Sequence, residues 1–141
     1  MKQTIIFFTG IIIISMFFLA GCEKYDKRTY HKVKGVGYVF DRKTKEPVPN
    51  ARVLVYSSFK SNGWGTTQPI EEYFSVDING YFCVKFLKRT QRDNVTDYSI
   101  TAGKDNYNSS STVSFPAENL KGLKGVIKVD TLWLTPRLHN K

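Results

Sequence analysis

Asp77-Ile78-Asn79-Gly80-Tyr81-Phe82-Cys83-Val84-Lys85-Phe86-Leu87 decides the fold. Asn-Gly readily supplies the positive φ angles of a tight turn, so residues 77–80 predict a hairpin between strands at 70–76 and 81–87. Beyond the turn the side chains alternate. Phe82, Val84 and Phe86 fall on one face, and Tyr81, Cys83 and Lys85 on the other. Lys85 marks the second face as the wetter one. The first face is therefore the core face, and Cys83 belongs on the outside.

The same period continues on both sides of this segment. Val36, Tyr38 and Phe40 alternate with Gly35, Gly37 and Val39 in a strand over 33–40, with Val39 facing inward. Residues 41–50 form a polar turn containing Pro47 and Pro49. Ala51, Val53 and Val55 face inward on the next strand, and 57–68 is a loop carrying Asn62-Gly63 and Gly65. Further strands are predicted at 96–102, 110–115 and 125–134, with a loop at 103–109 and room for one helical turn at 116–125. Pro116 and Pro136 close the strands before them. No segment after Cys22 has a helical period, and there is neither internal repeat nor low-complexity tract. Short strands at regular spacing with turn chemistry between them predict an all-β sandwich of about seven strands.

The N-terminus predicts where this domain is held. Lys2 precedes an apolar run over 5–20 that only Thr9, Gly10 and Ser15 interrupt, and Leu19-Ala20-Gly21-Cys22 follows. This is the pattern of a secretory signal peptide with its cleavage site. The last four residues resemble a bacterial lipobox. The resemblance implies a diacylglycerol on the Cys22 sulfur, cleavage before Cys22, and acylation of the new N-terminus, with palmitate as a typical acyl group. An uncleaved anchor is the alternative, but the apolar run falls short of the roughly 20 residues that span a bilayer. The expected organisation is a signal peptide at 1–21, a lipidated cysteine and linker at 22–32, a sandwich domain at 33–136 and a tail at 137–141. The linker is charged and aperiodic, and its ten residues after Cys22 reach about 35 Å when extended. The chain has two cysteines, so lipid on Cys22 leaves Cys83 without an intramolecular partner.

Lysine and arginine number 21 against 12 aspartates and glutamates, a net charge of +9. Export makes nucleic acid an unsuitable partner. The basicity suits anionic envelope surfaces such as acidic glycans or phospholipid headgroups. Its densest stretch, 24–34, lies beside the anchor, where it adds attraction to a membrane surface.

An ordered set of motifs resembles a carboxypeptidase regulatory-like domain. Gly37-Tyr38-Val39-Phe40-Asp41 followed by Thr44-Lys45-Glu46-Pro47-Val48-Pro49-Asn50-Ala51-Arg52-Val53 matches the family's opening strand, proline turn and second strand. Asp77-Ile78-Asn79-Gly80-Tyr81-Phe82 matches its aspartate-glycine-aromatic signature. Tyr98, Ile100 and Ala102, then Asn106-Tyr107, resemble its tyrosine strand and following turn, and Leu132-Trp133-Leu134-Thr135-Pro136 resembles its closing strand. Asn50 stands where the family usually has glycine, and asparagine tolerates left-handed geometry. The resemblance implies a transthyretin-like or immunoglobulin-like Greek-key sandwich, a fold that occurs on carboxypeptidases, on outer-membrane receptors and in small lipoproteins, especially of Bacteroidota. It implies a fold, and function comes from the sites grafted on it.

Catalytic groups are sparse. His31 lies in the predicted linker and His139 near the end, neither with a partner at useful spacing. The hydroxyisourate hydrolases on a transthyretin-like fold end in Tyr-Arg-Gly-Ser, whereas this chain ends Thr135-Pro136-Arg137-Leu138-His139-Asn140-Lys141. No enzyme activity, cofactor or metal is expected. Asp77-x-Asn79-Gly80 starts like a calcium loop but lacks the later carboxylate and reads as a turn. Asp93, Asn94 and Asp97 read as a loop and strand edge. Trp64, between Gly63 and Gly65, is the leading candidate for ligand binding, with Tyr56 and Tyr73 beside it. Asp130-Thr131-Leu132 resembles an O-glycosylation acceptor of Bacteroidota, although Thr131 falls within a predicted strand. The expected role is a non-catalytic lipoprotein anchored in the envelope, most simply at the outer membrane, serving as a structural or protein-interaction module. The alternative is a surface lipoprotein that binds carbohydrate through Trp64 and the nearby tyrosines.

Overall fold

The face that the hairpin sequence marks as apolar is the face that is buried. Phe82, Val84 and Phe86 are sealed from solvent, whereas Tyr81, Cys83 and Lys85 are exposed. The computed structural model describes residues 28–60, 68–90 and 94–138. They form β1 (Thr29–Asp41), β2 (Arg52–Phe59), β3 (Ile70–Ser75), β4 (Tyr81–Arg89), β5 (Val95–Gly103), β6 (Tyr107–Asn108), β7 (Val113–Pro116), β8 (Gly125–Lys128) and β9 (Leu132–Pro136). A single 3-10 turn covers Ala117–Leu120. No helix of the described residues is long and apolar enough to cross a membrane.

The strands make the two layers of an all-β sandwich. Sheet 1 runs β4-β1-β9-β6, with β8 also paired to β1, and sheet 2 runs β3-β2-β5-β7. Between them lie Val33, Val39, Val53, Val55, Phe82, Val84, Phe86, Tyr98, Ile100, Leu132 and Leu134, all essentially inaccessible. Ala51, Val53, Val55 and Val39 face inward, as their alternation predicts.

Two glycines allow this core to close. Gly35 and Gly37 lie on the inner face of β1, opposite Val84 and Phe82 of β4. A Cβ on Gly35 would stand 2.7 Å from Cζ of Phe86, and one on Gly37 would stand 2.7 Å from Cζ of Phe82. The phenylalanine rings thus occupy the space that side chains of β1 would fill. Phe86 then meets Tyr98 at 5.2 Å and Phe115 at 5.6 Å between ring centroids, joining sheet 1 to sheet 2. The buried Tyr98 hydroxyl donates to the carbonyl of Leu87, so the largest core side chain carries no unpaired polar group.

Several boundaries differ from the sequence reading. The tight turn at 77–80 is present, but it does not form a hairpin. β3 belongs to sheet 2 and β4 to sheet 1, so the turn carries the chain across the end of the sandwich. Asp77 Oδ1 accepts the N–H groups of Asn79 and Tyr81 at 2.9 and 2.8 Å, and Val39 N–H donates to the Gly80 carbonyl at 2.8 Å. Only Gly80 has positive φ here (77°), so this is not the doubly left-handed turn that joins paired strands.

The strand predicted at 125–134 splits into β8 and β9, both parallel to β1. Between them the Val129 N–H donates to the Val36 carbonyl at 2.7 Å. β1 begins at Thr29, so residues 29–32, read as linker, are strand. Its register with β4 shifts between Tyr30 and Lys34, placing residues 31–33 of β1 against Phe86 alone. Beside this bulge Leu87 is buried together with Phe86, which simple alternation does not anticipate. Asn50 has φ of 59°, the left-handed geometry its place in the turn requires.

Gly37→Ala is expected to destabilise the domain by about 1–3 kcal/mol, because the new methyl meets the Phe82 ring and the Val129 carbonyl. Adding Phe82→Leu should return part of that loss. Urea unfolding of the single and double variants measures the coupling. Independent, additive losses would show that the ring and the glycine do not share one space.

Candidate functional site

Inward alternation on three strands forces four aromatic side chains outward onto one surface. With Val39, Phe82 and the Leu132/Leu134 pair buried, Tyr38, Phe40, Tyr81 and Trp133 lie on the outer face of sheet 1. Register aligns them, since Tyr38 pairs with Tyr81 and Phe40 with Trp133. The ring centroids run Tyr81 to Tyr38 at 5.7 Å, Tyr38 to Phe40 at 5.7 Å and Phe40 to Trp133 at 5.9 Å. Tyr38 is 45% exposed. Lys45 Nζ sits 4.6 Å from the Trp133 ring centroid, a cation–π contact at the end of the row. Farther along the same face Lys34 pairs directly with Lys85, and Val36 lies between Cys83 and Lys128. The surface grades from aromatic to basic.

This row did not figure among the sequence candidates, yet its signal was present. Once Val39 and Phe82 are placed inward, period two places Tyr38, Phe40 and Tyr81 outward. Only the pairing of β9 beside β1, which adds Trp133, needs the structure.

Of the expected ligand-binding residues, Trp64 lies outside the described residues, as do Cys22, Asp93 and His139. Tyr56 and Tyr73 come together on the outer face of sheet 2, on adjacent strands. Tyr73 is 60% exposed, and its hydroxyl donates to Glu71 at 3.1 Å. Hydrogen bonding to the Glu71 carboxylate is the main reason its phenol is held above the ordinary value. Tyr73, paired with Leu54, lies on the wall of a cleft of about 530 Å³ at the Arg52 end of β2 and the Gly103 end of β5. Arg52, Lys104 and Arg137 line the same cleft.

A buried carboxylate braces both surfaces. Asp41 Oδ1 accepts the N–H groups of Lys43 (2.7 Å) and Thr44 (3.0 Å), and Oδ2 accepts the Tyr107 hydroxyl at 3.1 Å. The Thr44 N–H is the largest influence holding this carboxyl below the usual value; burial opposes it, and the Lys43 N–H and Tyr107 add to it. Tyr107 is shifted upward by burial and by the Asp41 carboxylate.

A second polar cluster closes the far end of the sandwich. The Tyr30 hydroxyl donates to Glu72 Oε1 at 2.7 Å, and Arg28 lies 3.7 Å from the same oxygen. Among the described residues, Glu72 Oε2 and Ser57 Oγ have no hydrogen-bond partner. His31, in β1 rather than in a linker, sets its ring edge-on to Tyr98 at 6.1 Å. Burial, aided by Lys88, lowers the pKa of this imidazole. The Asp77 carboxylate is engaged by its own turn, and Thr131 lies in the break between β8 and β9 rather than inside a strand. Among the described residues no group of three or more His, Cys, Asp or Glu side chains is placed to hold a metal ion.

No protein-family model and no curated protein matches the chain. Solved structures do. The chain is similar to catechol 1,2-dioxygenase from Acinetobacter sp. ADP1, with a TM-score of 0.50 and 14% identity over 84% of this chain and 55% of that one. It is also similar to 3-chlorocatechol 1,2-dioxygenase from Rhodococcus opacus 1CP, with a TM-score of 0.49 and 12% identity over 78% of this chain and 61% of that one. The shaft pilin SpaA from Lactobacillus rhamnosus GG follows at 0.45 and 11%, over 80% and 48%. The chain thus spans about half to three-fifths of the length of these structures. At 14% identity the likeness to the Acinetobacter enzyme is one of fold alone.

Because folding lowers the Asp41 pKa, its contribution to stability is complete above the unfolded value of about 4 and is lost as pH falls through the lower folded value. The stability difference between the native chain and Asp41→Asn should therefore shrink on acidification. Urea unfolding of both at neutral pH and near pH ~2.5 tests this. An unchanged gap would mean that the carboxylate charge is not what Asp41 contributes.

Proposed function

We propose that residues 22–141 act as a non-catalytic, lipid-anchored module of the cell envelope that docks a protein partner. The observation that carries this reading is the row Tyr81–Tyr38–Phe40–Trp133 on the outer face of sheet 1. Tyrosine and tryptophan are the side chains that dominate binding energy at protein interfaces, because they bury much area and keep a polar edge for hydrogen bonds. A sheet built only for its own stability would not place Lys34 directly opposite Lys85 on the same face, since like charges so paired repel. An acidic partner surface relieves that repulsion while its apolar groups cover the rings.

The anchor reading rests on the Leu19-Ala20-Gly21-Cys22 pattern. The short charged segment after Cys22 keeps the domain within a few tens of ångströms of the bilayer. A domain of the carboxypeptidase regulatory-like kind suits this role as an accessory fold. The non-catalytic reading is supported by the environment of His31, which spends its ring on packing against Tyr98, and of Cys83, which stands on an open sheet face opposite Val36. A carbohydrate-binding role is the second reading, favoured by the exposure of Tyr73 beside a cleft.

A photo-cross-linking residue at position 81, introduced in intact cells and followed by mass spectrometry, should capture one envelope protein at near-stoichiometric yield. Tyr38→Ser should abolish that product without unfolding the domain, and Cys22→Ser should remove palmitate labelling and membrane retention. Capture of no protein, or capture indifferent to Tyr38→Ser, would overturn the docking reading.

A further inference from the structure

We infer that the cleft at the end of β2 and β5 is a binding site for an acidic saccharide, one whose sugar rings carry carboxylate or sulfate groups. The inference deepens the carbohydrate-binding reading and is independent of the protein-docking row on the outer face of sheet 1, because none of that row's four rings lines the cleft.

The cleft has a floor, two walls and a charge. Leu54, Thr101 and Gly103 make the floor on the outer face of sheet 2. Tyr73 and Arg52 stand on one side, and the 104–109 segment with Arg137 stands on the other. Its volume of about 530 Å³ falls in the range of small-ligand pockets, roughly 300–1,000 Å³.

The far wall is held in place. Tyr107 and Asn108 pair with Pro136 and Thr135, the Arg137 N–H donates to the Asn106 carbonyl at 2.8 Å, and the Tyr107 hydroxyl is fixed on Asp41. Lys104 reaches across to the Pro49 carbonyl at 2.8 Å, which positions its ammonium at the cleft with donors to spare.

The chemistry of the lining selects the ligand. Three cations, Arg52, Lys104 and Arg137, meet one carboxylate, Asp105. Among the described residues neither guanidinium has a hydrogen-bond or ion-pair partner. A guanidinium offers a planar pair of donors that matches a carboxylate or sulfate, so two such groups facing one cleft fit an anion. Around them Asn50, Thr101 and Ser109 supply neutral hydrogen-bonding groups suited to hydroxyls. The exposed Tyr73 ring supplies an apolar surface for sugar C–H groups, with its hydroxyl tethered to Glu71. Anion, hydroxyl and apolar ring together describe an acidic sugar better than a lipid surface, which a concave polar cleft cannot meet face to face.

Gly103 makes the site testable without disturbing the core. A Cβ there has Ser109 Oγ at 4.0 Å as its one neighbour within contact distance. A larger side chain at position 103 therefore extends into the cleft and not into the protein.

Calorimetric titration of the full lipidated chain in detergent with tetragalacturonate, a sulfated heparin tetrasaccharide and neutral cellotetraose tests the inference. At least one acidic saccharide should bind at one site per chain, at least tenfold more tightly than cellotetraose; whichever acid binds better identifies carboxylate or sulfate as the group read. Arg52→Ala and Arg137→Ala should each weaken that binding by roughly tenfold or more. Gly103→Leu should block it at an unchanged melting temperature.

Three results would overturn the inference: no acidic saccharide bound, equal affinity for cellotetraose, or binding unaffected by both arginine variants. Tighter binding of polyglutamate or of phosphatidylglycerol vesicles through the same arginines would do so too, since the ligand would then be a peptide or a membrane. The titration needs no partner protein, so its failure leaves the docking reading standing, and failure of the cross-link leaves this one standing.

Discussion

The structure depends on two aromatic rings lying over two glycines. β1 is the central strand of sheet 1, paired with β4 on one side and with β8 and β9 on the other. A central strand ordinarily fills its inner face with branched side chains. Here Gly35 and Gly37 leave that space to Phe86 and Phe82 from the neighbouring strand. Glycine in a strand loses conformational freedom on folding and brings no side chain to the core. The buried rings offset that cost by covering the bare backbone and by reaching the opposite sheet. Phe86 meets Tyr98 and Phe115 there, so the same contact that closes one sheet sets its distance from the other.

What the sequence reveals follows from this arrangement. On β2, and on β4 as far as Phe86, period-two alternation is regular and one face is apolar, so Val53, Val55, Phe82, Val84 and Phe86 can be placed inward by inspection. β1 is harder, because its bulky residues Tyr38 and Phe40 are the outer ones and the inner positions are glycines. Connectivity is harder still. The sequence 77–80 specifies a tight turn, yet which sheet each flanking strand joins goes with backbone hydrogen bonds to segments distant in sequence: Val76 N–H donates to the Ala51 carbonyl, and Val39 N–H donates to the Gly80 carbonyl. The break between β8 and β9 does not show as a change of period: Val129 N–H still donates to the Val36 carbonyl of β1, and pairing with β1 resumes at Leu132 opposite Val39.

The candidate surfaces divide along the same line. The aromatic row is a consequence of alternation, and three of its four members were legible once Val39 and Phe82 were placed inward. The basic cleft is assembled from residues near positions 50, 73, 103 and 137, which no local pattern connects. Tyr73 stood out in the sequence as an aromatic near a glycine-rich loop. The structure sets it beside the cleft, because β3 runs antiparallel to β2 and carries Tyr73 from the Ser57 end of β2 toward the Arg52 end.

Asp41 ties these surfaces to one another. It ends β1, and its two oxygens face in different directions. Oδ1 collects the N–H groups of Lys43 and Thr44 and so shapes the turn in which Lys45, at a φ of 64°, lies over Trp133. Oδ2 holds Tyr107, the residue that fixes the 104–109 wall of the cleft against β9. A left-handed lysine is strained on its own, and it persists where surrounding bonds over-determine the backbone. One buried carboxylate therefore sets the end of the aromatic row and the wall of the basic cleft together. A neutral carboxyl has less charge to offer three donors. Loss of the Asp41 charge would accordingly loosen both surfaces at once, although one is the outer face of sheet 1 and the other has its floor on sheet 2.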